Sequence, residues 1–322
     1  MQAIRVHQHG GPDVLYYDEA PMPTPGVDEV VIQVEFVGVN YIDVYHRTGL
    51  YPGILPLTPG VEAAGVVTQL GENVTEVREG ERVAYVGPQG AYAQYAVVPA
   101  RQLVSVPEGL DLQQAAAAML QGMTAHYLVH GTYPVQSGDY VLVHAAAGGT
   151  GQLIVQMAKQ RGATVFGTTS TEEKAALVRA AGADDVILYT QTDFATEVKR
   201  LTNNRGVHVV YDSVGKTTFD KSLDCLRPRG TLALFGQSSG PVPPFDPAIL
   251  NAKGSLYLTR PSLFHYIAER SEMLERANAV LQSVLDGTLK LRIDHTFPLA
   301  EAAEAHRLLE GRATTGKLLL AP

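Results

Sequence analysis

Between residues 29 and 39 apolar and polar side chains alternate. Ile32, Val34 and Phe36 fall on one face, and Gln33 and Glu35 on the other. This is the period of a strand covered on one side. Further short strands are predicted over residues 2–8, 61–70, 82–86, 92–98 and 102–106, punctuated by glycine and proline. Many short strands at such spacing predict a small, partly open barrel. Near residue 111 the period changes to that of a helix. DLQQAAAAMLQGMTAHYLV is rich in strong helix formers, with Gly122 expected to separate two helices.

Strands and helices then alternate. Strands are predicted over 140–144, 164–167, 186–188, 207–212, 231–236 and 255–259, with helices over 151–161, 171–181, 194–202 and 217–226. Such alternation predicts a doubly wound parallel sheet, an α/β architecture. A long helical stretch over 262–285, a helix over 300–309 and a strand over 317–320 complete the chain. The last strand has no α/β partner after it and is expected to rejoin the first domain. The domains expected are 1–124 with 265–322, and 125–264.

One stretch carries a chemical signal. Residues 140–171 read as strand, small-residue turn, helix and strand, with Leu153, Ile154, Met157 and Ala158 on one helix face. The turn is A-A-A-G-G-T-G, with Ala146 where a G-x-G-x-x-G pattern begins. A helix N-terminus leaves backbone N–H groups unpaired and carries partial positive charge. Gly148, Gly149 and Gly151 let a pyrophosphate approach those groups. A dinucleotide site is therefore expected. An NAD site commonly offers Asp or Glu at the next strand end. Here stand Thr168, Thr169, Ser170 and Thr171, followed by Lys174. Hydroxyls and an ammonium suit a 2′-phosphate, so NADPH is favoured over NADH.

Composition removes several classes. The net charge is −8 with no run of like charge, which argues against a nucleic-acid-binding surface. Cys225 is the one cysteine, so neither an intrachain disulfide nor a multi-cysteine zinc site can form. The start, MQAIRVHQHGG, lacks the apolar core of a secretory signal. No apolar run reaches the ~18 residues of a membrane span. A soluble, cytoplasmic protein is expected.

Ligands of an open parallel sheet bind beyond the carboxyl ends of its strands. That points to residues 145–151, 168–171, Tyr189, 212–215 and 235–238. The other wall of a cleft is expected from the first domain. There the fifteen residues VGVNYIDVYHRTGLY crowd together Asn40, Tyr41, Asp43, Tyr45, His46, Arg47 and Tyr51. Polar and aromatic groups at that density fit a planar, oxygen-bearing molecule.

These residues carry a resemblance. HGGPDVL, VGVNYIDVYHRTGLYP, PGVEAAGVV, GAYAQY, HAAAGGTGQ, VVYDSVG, SLDCLRPRGTLALFGQSSG, GSLYLTRPSL and RATTGKLLL resemble the medium-chain dehydrogenase/reductase superfamily. Within it, the likeness is to the zinc-free NADPH:quinone oxidoreductases, the ζ-crystallin-like group. The resemblance implies a GroES-like domain beside a Rossmann domain. Zinc-dependent members of the superfamily carry Cys where Asn40 stands and His where Val61 stands, and neither Asn nor Val serves zinc. No metal is expected, and Glu62 is read as a structural acid.

The resemblance also implies functional positions. Asn40, Tyr45 and Tyr51 would line the nicotinamide and quinone cleft, as candidate donors to the developing oxygen anion. Thr124 would contact the nicotinamide. Gly148, Gly149 and Gly151 would hold the pyrophosphate, and Ser170, Lys174 and Tyr189 the adenosine phosphate. Ser213, Phe235, Gly236, Gln237 and Ser238 would line the cofactor groove, and Arg312 would reach back to the cofactor. The activity implied is NADPH-dependent quinone reduction. Two alternatives stand beside it: reduction of α,β-unsaturated carbonyls, and a non-catalytic NADPH-binding protein of crystallin-like or RNA-binding type. A homodimer is implied, with residues 255–259 as the edge that joins two sheets.

Overall fold

The computed structural model describes residues 1–322. The amino-terminal part holds β1 (Gln2–Arg5), β2 (Tyr16–Glu19), β3 (Glu29–Val39), α1 (Tyr41–Thr48), β4 (Glu62–Leu70), β5 (Arg82–Val86), β6 (Tyr95–Pro99) and β7 (Leu103–Ser105). Next come α2 (Leu112–Tyr127), β8 (Tyr140–Val143), α3 (Gly149–Gln160), β9 (Thr164–Thr169), α4 (Glu172–Ala180), β10 (Asp185–Leu188), α5 (Phe194–Leu201) and β11 (Val207–Asp212). They are followed by α6 (Phe219–Asp224), β12 (Leu226–Leu234), α7 (Ala248–Ala252) and β13 (Tyr257–Thr259). The chain ends with α8 (Leu263–Tyr266), α9 (Arg270–Leu285), β14 (Ile293–Pro298), α10 (Ala302–Glu310) and β15 (Lys317–Ala321). Two units result, Met1–Gln121 with Glu269–Pro322, and Gly122–Ala268.

The first unit is built on a seven-stranded sheet in the order β14-β15-β3-β4-β5-β7, with β6 also pairing β3. The last strand joins it: Leu318 and Leu320 of β15 lie opposite Val39 and Val37 of β3. In β3, Ile32 and Val34 are buried while Gln33 and Glu35 are exposed, as the alternation requires. Phe36 is only half-buried. The register against β4 shifts between Val34 and Phe36, and such a bulge changes which residues face inward. Beyond it Val37 and Val39 enter the core with Leu318 and Leu320.

The second unit is a six-stranded sheet ordered β10-β9-β8-β11-β12-β13, and its strand pairs are parallel. Val141, Leu142, Val143, Val209 and Val210 are wholly buried, as befits strands covered on both faces. Chain order reverses between β8 and β11, which makes their carboxyl ends the ligand-binding crevice of this architecture.

The structure differs from the sequence expectations in several elements, among them α7, for which no helix is expected. Helix α2 runs through Gly122. A central glycine costs about 1 kcal/mol against alanine, and here the buried run Ala115–Met119 and Met123 anchors the helix on both sides. The stretch 262–285 is two helices, broken where the chain passes between the units at Ala268 and Glu269. Strands β2 and β14 had no expectation. Each is short and defined by a partner, β1 and β15 respectively. No helix was expected over 41–48 either, although Asn40 and Asp43 form a legible capping pair.

Candidate active-site groups in each unit

In the first unit β3 ends at Val39, and Asn40 caps α1. Its backbone N–H donates to Asp43 Oδ2 at 2.8 Å. Gly49, at φ 79°, closes the helix in the left-handed region that favours glycine. The Asn40 side chain is 4% exposed. Its Nδ2 donates to Glu62 Oε2 at 2.8 Å and to the Gly38 carbonyl at 3.1 Å. Its Oδ1 accepts from Lys317 Nζ at 2.8 Å. Lys317 Nζ also lies 2.5 Å from Glu62 Oε2, and the Leu120 N–H donates to Glu62 Oε1. A Cβ at Gly38 would fall 1.9 Å from Glu62 Oε2, so only glycine leaves room for this cluster. The expectation that Asn40 donates to a reacting oxygen does not fit this arrangement, because both its amide hydrogens are engaged within the protein.

Tyr45 and Tyr51 do come together. Their ring centroids are 5.2 Å apart, and the Tyr51 N–H donates to the Tyr45 carbonyl at 3.0 Å. Both are half-buried. His46 sits edge-on to Tyr51 at 5.7 Å, and burial lowers its pKa. Tyr41 points elsewhere, donating to the Leu309 carbonyl at 3.2 Å. Behind the helix lies a buried polar chain. Arg47 grips Glu310 with two bonds of 2.8 and 2.9 Å and reaches His306 Nδ1 at 2.9 Å. His306 Nε2 meets Tyr92 Oη at 3.0 Å, and Tyr92 donates to Asp43 Oδ2 at 3.1 Å. Burial, helped by the Arg47 charge, pushes the His306 pKa down to about 3, so it is neutral. Burial raises Asp43 to about 7, against the opposing Asn40 hydrogen bond. Arg312 is exposed after α10, at φ 57°.

In the second unit the turn after β8 leads into α3, with Gly148 as its N-cap. The Gly148 N–H donates to the Ala145 carbonyl at 2.9 Å. A Cβ at Gly151 would lie 2.4 Å from that same oxygen, so close packing of helix on turn requires glycine there. Gly148 and Gly149 are partly exposed, whereas Ala146 is wholly buried. At the end of β9 the row of hydroxyls divides. Thr168 and Thr169 are 1% and 3% exposed, and Thr168 faces His144 at 2.9 Å. The expectation that the whole row serves a phosphate is corrected on this point. Ser170 and Lys174 remain partly exposed and Tyr189 is 47% exposed. The Tyr189 N–H bonds to Thr169 O and the Lys174 N–H to Thr171 Oγ1, which gathers the three at one strand end.

Ser213 and the segment 235–238 also converge. The Ser238 N–H donates to the Ser213 carbonyl at 3.1 Å, and a Cβ at Gly236 would lie 2.6 Å from that oxygen. Thr124 is buried on α2.

Comparison with known proteins gives this geometry its context. Residues 26–108 match the alcohol dehydrogenase GroES-like domain and residues 149–282 the zinc-binding dehydrogenase domain. The chain is 44% identical to a quinone oxidoreductase of Pseudomonas aeruginosa, across 99% of both chains. The chain belongs to the quinone oxidoreductase family. It is also 46% identical to a 2-haloacrylate reductase of Burkholderia, across 100% of this chain and 99% of that one. Among solved structures, it resembles Escherichia coli quinone oxidoreductase complexed with NADPH, with a TM-score of 0.98, 41% identity and complete coverage of both chains. The fold is accordingly the two-domain one of the medium-chain dehydrogenase/reductases, a GroES-like domain and a Rossmann-like domain.

For a quinone oxidoreductase-family chain, two groups lay beyond the sequence reading. Lys317 is the one charge in the run KLLLA. Charge inside a buried strand is a signal in itself. Asp212 stands in the sequence as the start of a strand-end turn. Its side chain holds that turn, a role that needs the third dimension to see.

Proposed function

We propose that this protein passes reducing equivalents from NADPH to a quinone, without a metal ion. The chain is an NADPH-dependent reductase. The glycine turn before α3, the carboxylate-free end of β9 and full-length likeness to proteins solved with NADPH support this. Gly148, Gly149 and Gly151 would receive the pyrophosphate, and Ser170, Lys174 and Tyr189 the 2′-phosphate. Thr124, Ser213, the segment 235–238 and Arg312 keep the cofactor roles that the family resemblance implies.

The acceptor reading is carried by the pair Tyr45 and Tyr51, two half-buried phenols 5.2 Å apart on a short capped helix and the loop after it. When bound, NADPH supplies a hydride, and the protein supplies orientation and electrostatics. The two hydroxyls would donate to the acceptor oxygen that gains charge. Asn40 would act indirectly, by fixing the start of α1. A quinone becomes aromatic on reduction and needs less proton donation than a simple ketone. One observation favours a second acceptor class, α,β-unsaturated carbonyl compounds: the 46% identity to a 2-haloacrylate reductase.

Zinc does not fit the first unit. Val61 offers hydrocarbon, and Glu62 already faces the Lys317 ammonium. No three His, Cys, Asp or Glu side chains converge anywhere. Dialysis against a chelator is expected to leave activity unchanged, and a loss restored by zinc would refute the metal-free reading. The edge strand β13, with Tyr257 62% exposed, is the proposed homodimer seam. No helix is long and apolar enough to cross a membrane, and a cytoplasmic location is proposed.

The acceptor is tested by NADPH consumption against a panel of 1,2- and 1,4-quinones and conjugated carbonyl compounds. Turnover of quinones is expected. Turnover of conjugated carbonyls alone establishes the second class. Binding of NADPH with no acceptor reduced overturns both.

A further inference from the structure

Beneath the strand ends of the second unit lie four side chains that the cofactor reading does not use. Thr168, His144, Ser222 and Asp212 are each no more than 1% exposed. Asp212 Oδ1 accepts from the N–H groups of Val214 and Gly215 at 2.7 and 3.0 Å. Its Oδ2 accepts from Thr218 Oγ1 at 2.7 Å and from Ser222 Oγ at 3.0 Å. Ser222 has a single hydroxyl hydrogen, and it goes to Asp212. Its oxygen therefore accepts from His144 Nε2, 3.0 Å away. That places the ring proton on Nε2, so Nδ1 accepts from Thr168 Oγ1 at 2.9 Å. Burial lowers the His144 pKa against the opposing pull of Asp212, in keeping with a neutral ring. Hydrogen bonds thus run in one direction, from Thr168 through His144 and Ser222 to Asp212.

This chain of bonds crosses the point where strand order reverses. Thr168 stands one residue before the end of β9 and His144 follows β8, on the half of the sheet that takes the adenosine phosphate. Asp212 ends β11 on the other half. Dinucleotides lie across the two halves of such a sheet, one mononucleotide to each. Asp212 also fixes the neighbouring tip, since its carbonyl accepts from the N–H groups of Phe235 and Gly236 at 2.9 and 3.3 Å. One residue therefore holds both strand ends of the nicotinamide half, and His144 ties it to the other half.

We propose that His144 is a positioning residue that keeps the strand ends 213–215 and 235–238 in register with the adenosine-phosphate pocket. Both ends of one NADPH molecule are then seated at once. This rests on the reading of the second unit as the NADPH site. The link explains why a buried histidine sits between two hydroxyls. An apolar residue would fill the same space but take the acceptor from the Thr168 hydroxyl and the donor from Ser222, which would keep only its bond to Asp212.

The test compares the whole cofactor with a fragment that fills one half only. Binding of NADPH and of adenosine 2′,5′-bisphosphate is measured by calorimetry for His144→Leu, His144→Gln and the milder Ser222→Ala. The fragment is expected to bind each variant within about twofold of the parent protein. NADPH should bind His144→Leu and Ser222→Ala about tenfold more weakly, with kcat lowered to a similar degree. His144→Gln keeps a donor for Ser222 and should recover most of the loss. The double variant His144→Leu with Ser222→Ala should be no worse than the worse single one. Equal weakening of fragment and cofactor would mean general damage and overturn the proposal, as would unchanged NADPH binding and kcat. A parent protein that binds neither NADPH nor the fragment overturns the cofactor reading itself, and the proposal with it.

Discussion

Lys317→Met removes the ammonium that lies 2.5 Å from Glu62 Oε2 and 2.8 Å from Asn40 Oδ1. The methionine fills nearly the same volume, so packing is retained and the charge is the main change. Glu62 is wholly buried. It would keep two donors, Asn40 Nδ2 and the Leu120 N–H, and lose its counter-charge. Breaking a buried pair from one side costs about 3–5 kcal/mol, because a charge is left uncompensated. For a unit of this size that is a fall in Tm of roughly 6–20 °C. Glu62→Gln added to Lys317→Met removes the stranded charge, but its one amide oxygen replaces either Oε2 or Oε1, so it accepts from Asn40 or from the Leu120 N–H and not from both. The double variant should therefore regain only part of the loss, to within about 1–3 kcal/mol of the parent protein, the cost of one buried donor left unpaired. The assay is urea unfolding followed by tyrosine signals in near-ultraviolet circular dichroism, since the chain has 15 tyrosines and no tryptophan. A Lys317→Met loss below about 1 kcal/mol, the range of exposed pairs, would refute the reasoning. So would a double variant as unstable as the single one.

Three further outcomes are expected. Lys174→Ala should weaken NADPH at least tenfold more than NADH in paired binding measurements, because only NADPH carries the 2′-phosphate; equal weakening would remove Lys174 from that pocket. Asp43 has a folded pKa of about 7, raised from about 4 in the unfolded chain. Folding stability from this group is present below pH ~4 and lost as pH rises towards 7, since the native state holds the proton longer. Asp43→Asn should therefore be more stable than the parent at pH 8, by a few kcal/mol at most, with the gap closing towards pH 4; a gap independent of pH would contradict the assignment. Tyr51→Phe keeps the ring against Tyr45 and removes one donor, so kcat/KM for a quinone should fall about tenfold while NADPH affinity is unchanged; unaltered turnover would remove that hydroxyl from the reaction.

Much of the architecture is written in local patterns. The alternation from Ile32 to Phe36 gave β3, and the strand–turn–helix over residues 140–160 gave the nucleotide-binding motif. Both follow because burial of one face or of both imposes a period on the chain. The boundaries that slipped did so where tertiary contacts overrode local preference. Gly122 stays helical because its neighbours are buried, and the bulge near Phe36 resets which residues face the core.

The sequence by itself determined which residue types stand at the candidate sites. Asn40 and Val61 stand where zinc ligands would be needed, glycines stand at the turn before α3, and no carboxylate ends β9. It could not determine where those side chains point. The tertiary structure turned the Asn40 amide inward to Glu62 and Lys317, and buried Thr168 against His144. It also set Tyr45 beside Tyr51 and made Asp212 the anchor of two strand ends. The physical reason is that hydrogen-bond partners are chosen among groups far apart in sequence. Lys317 and Asn40 are 277 positions apart, and no periodicity along the chain encodes such a meeting.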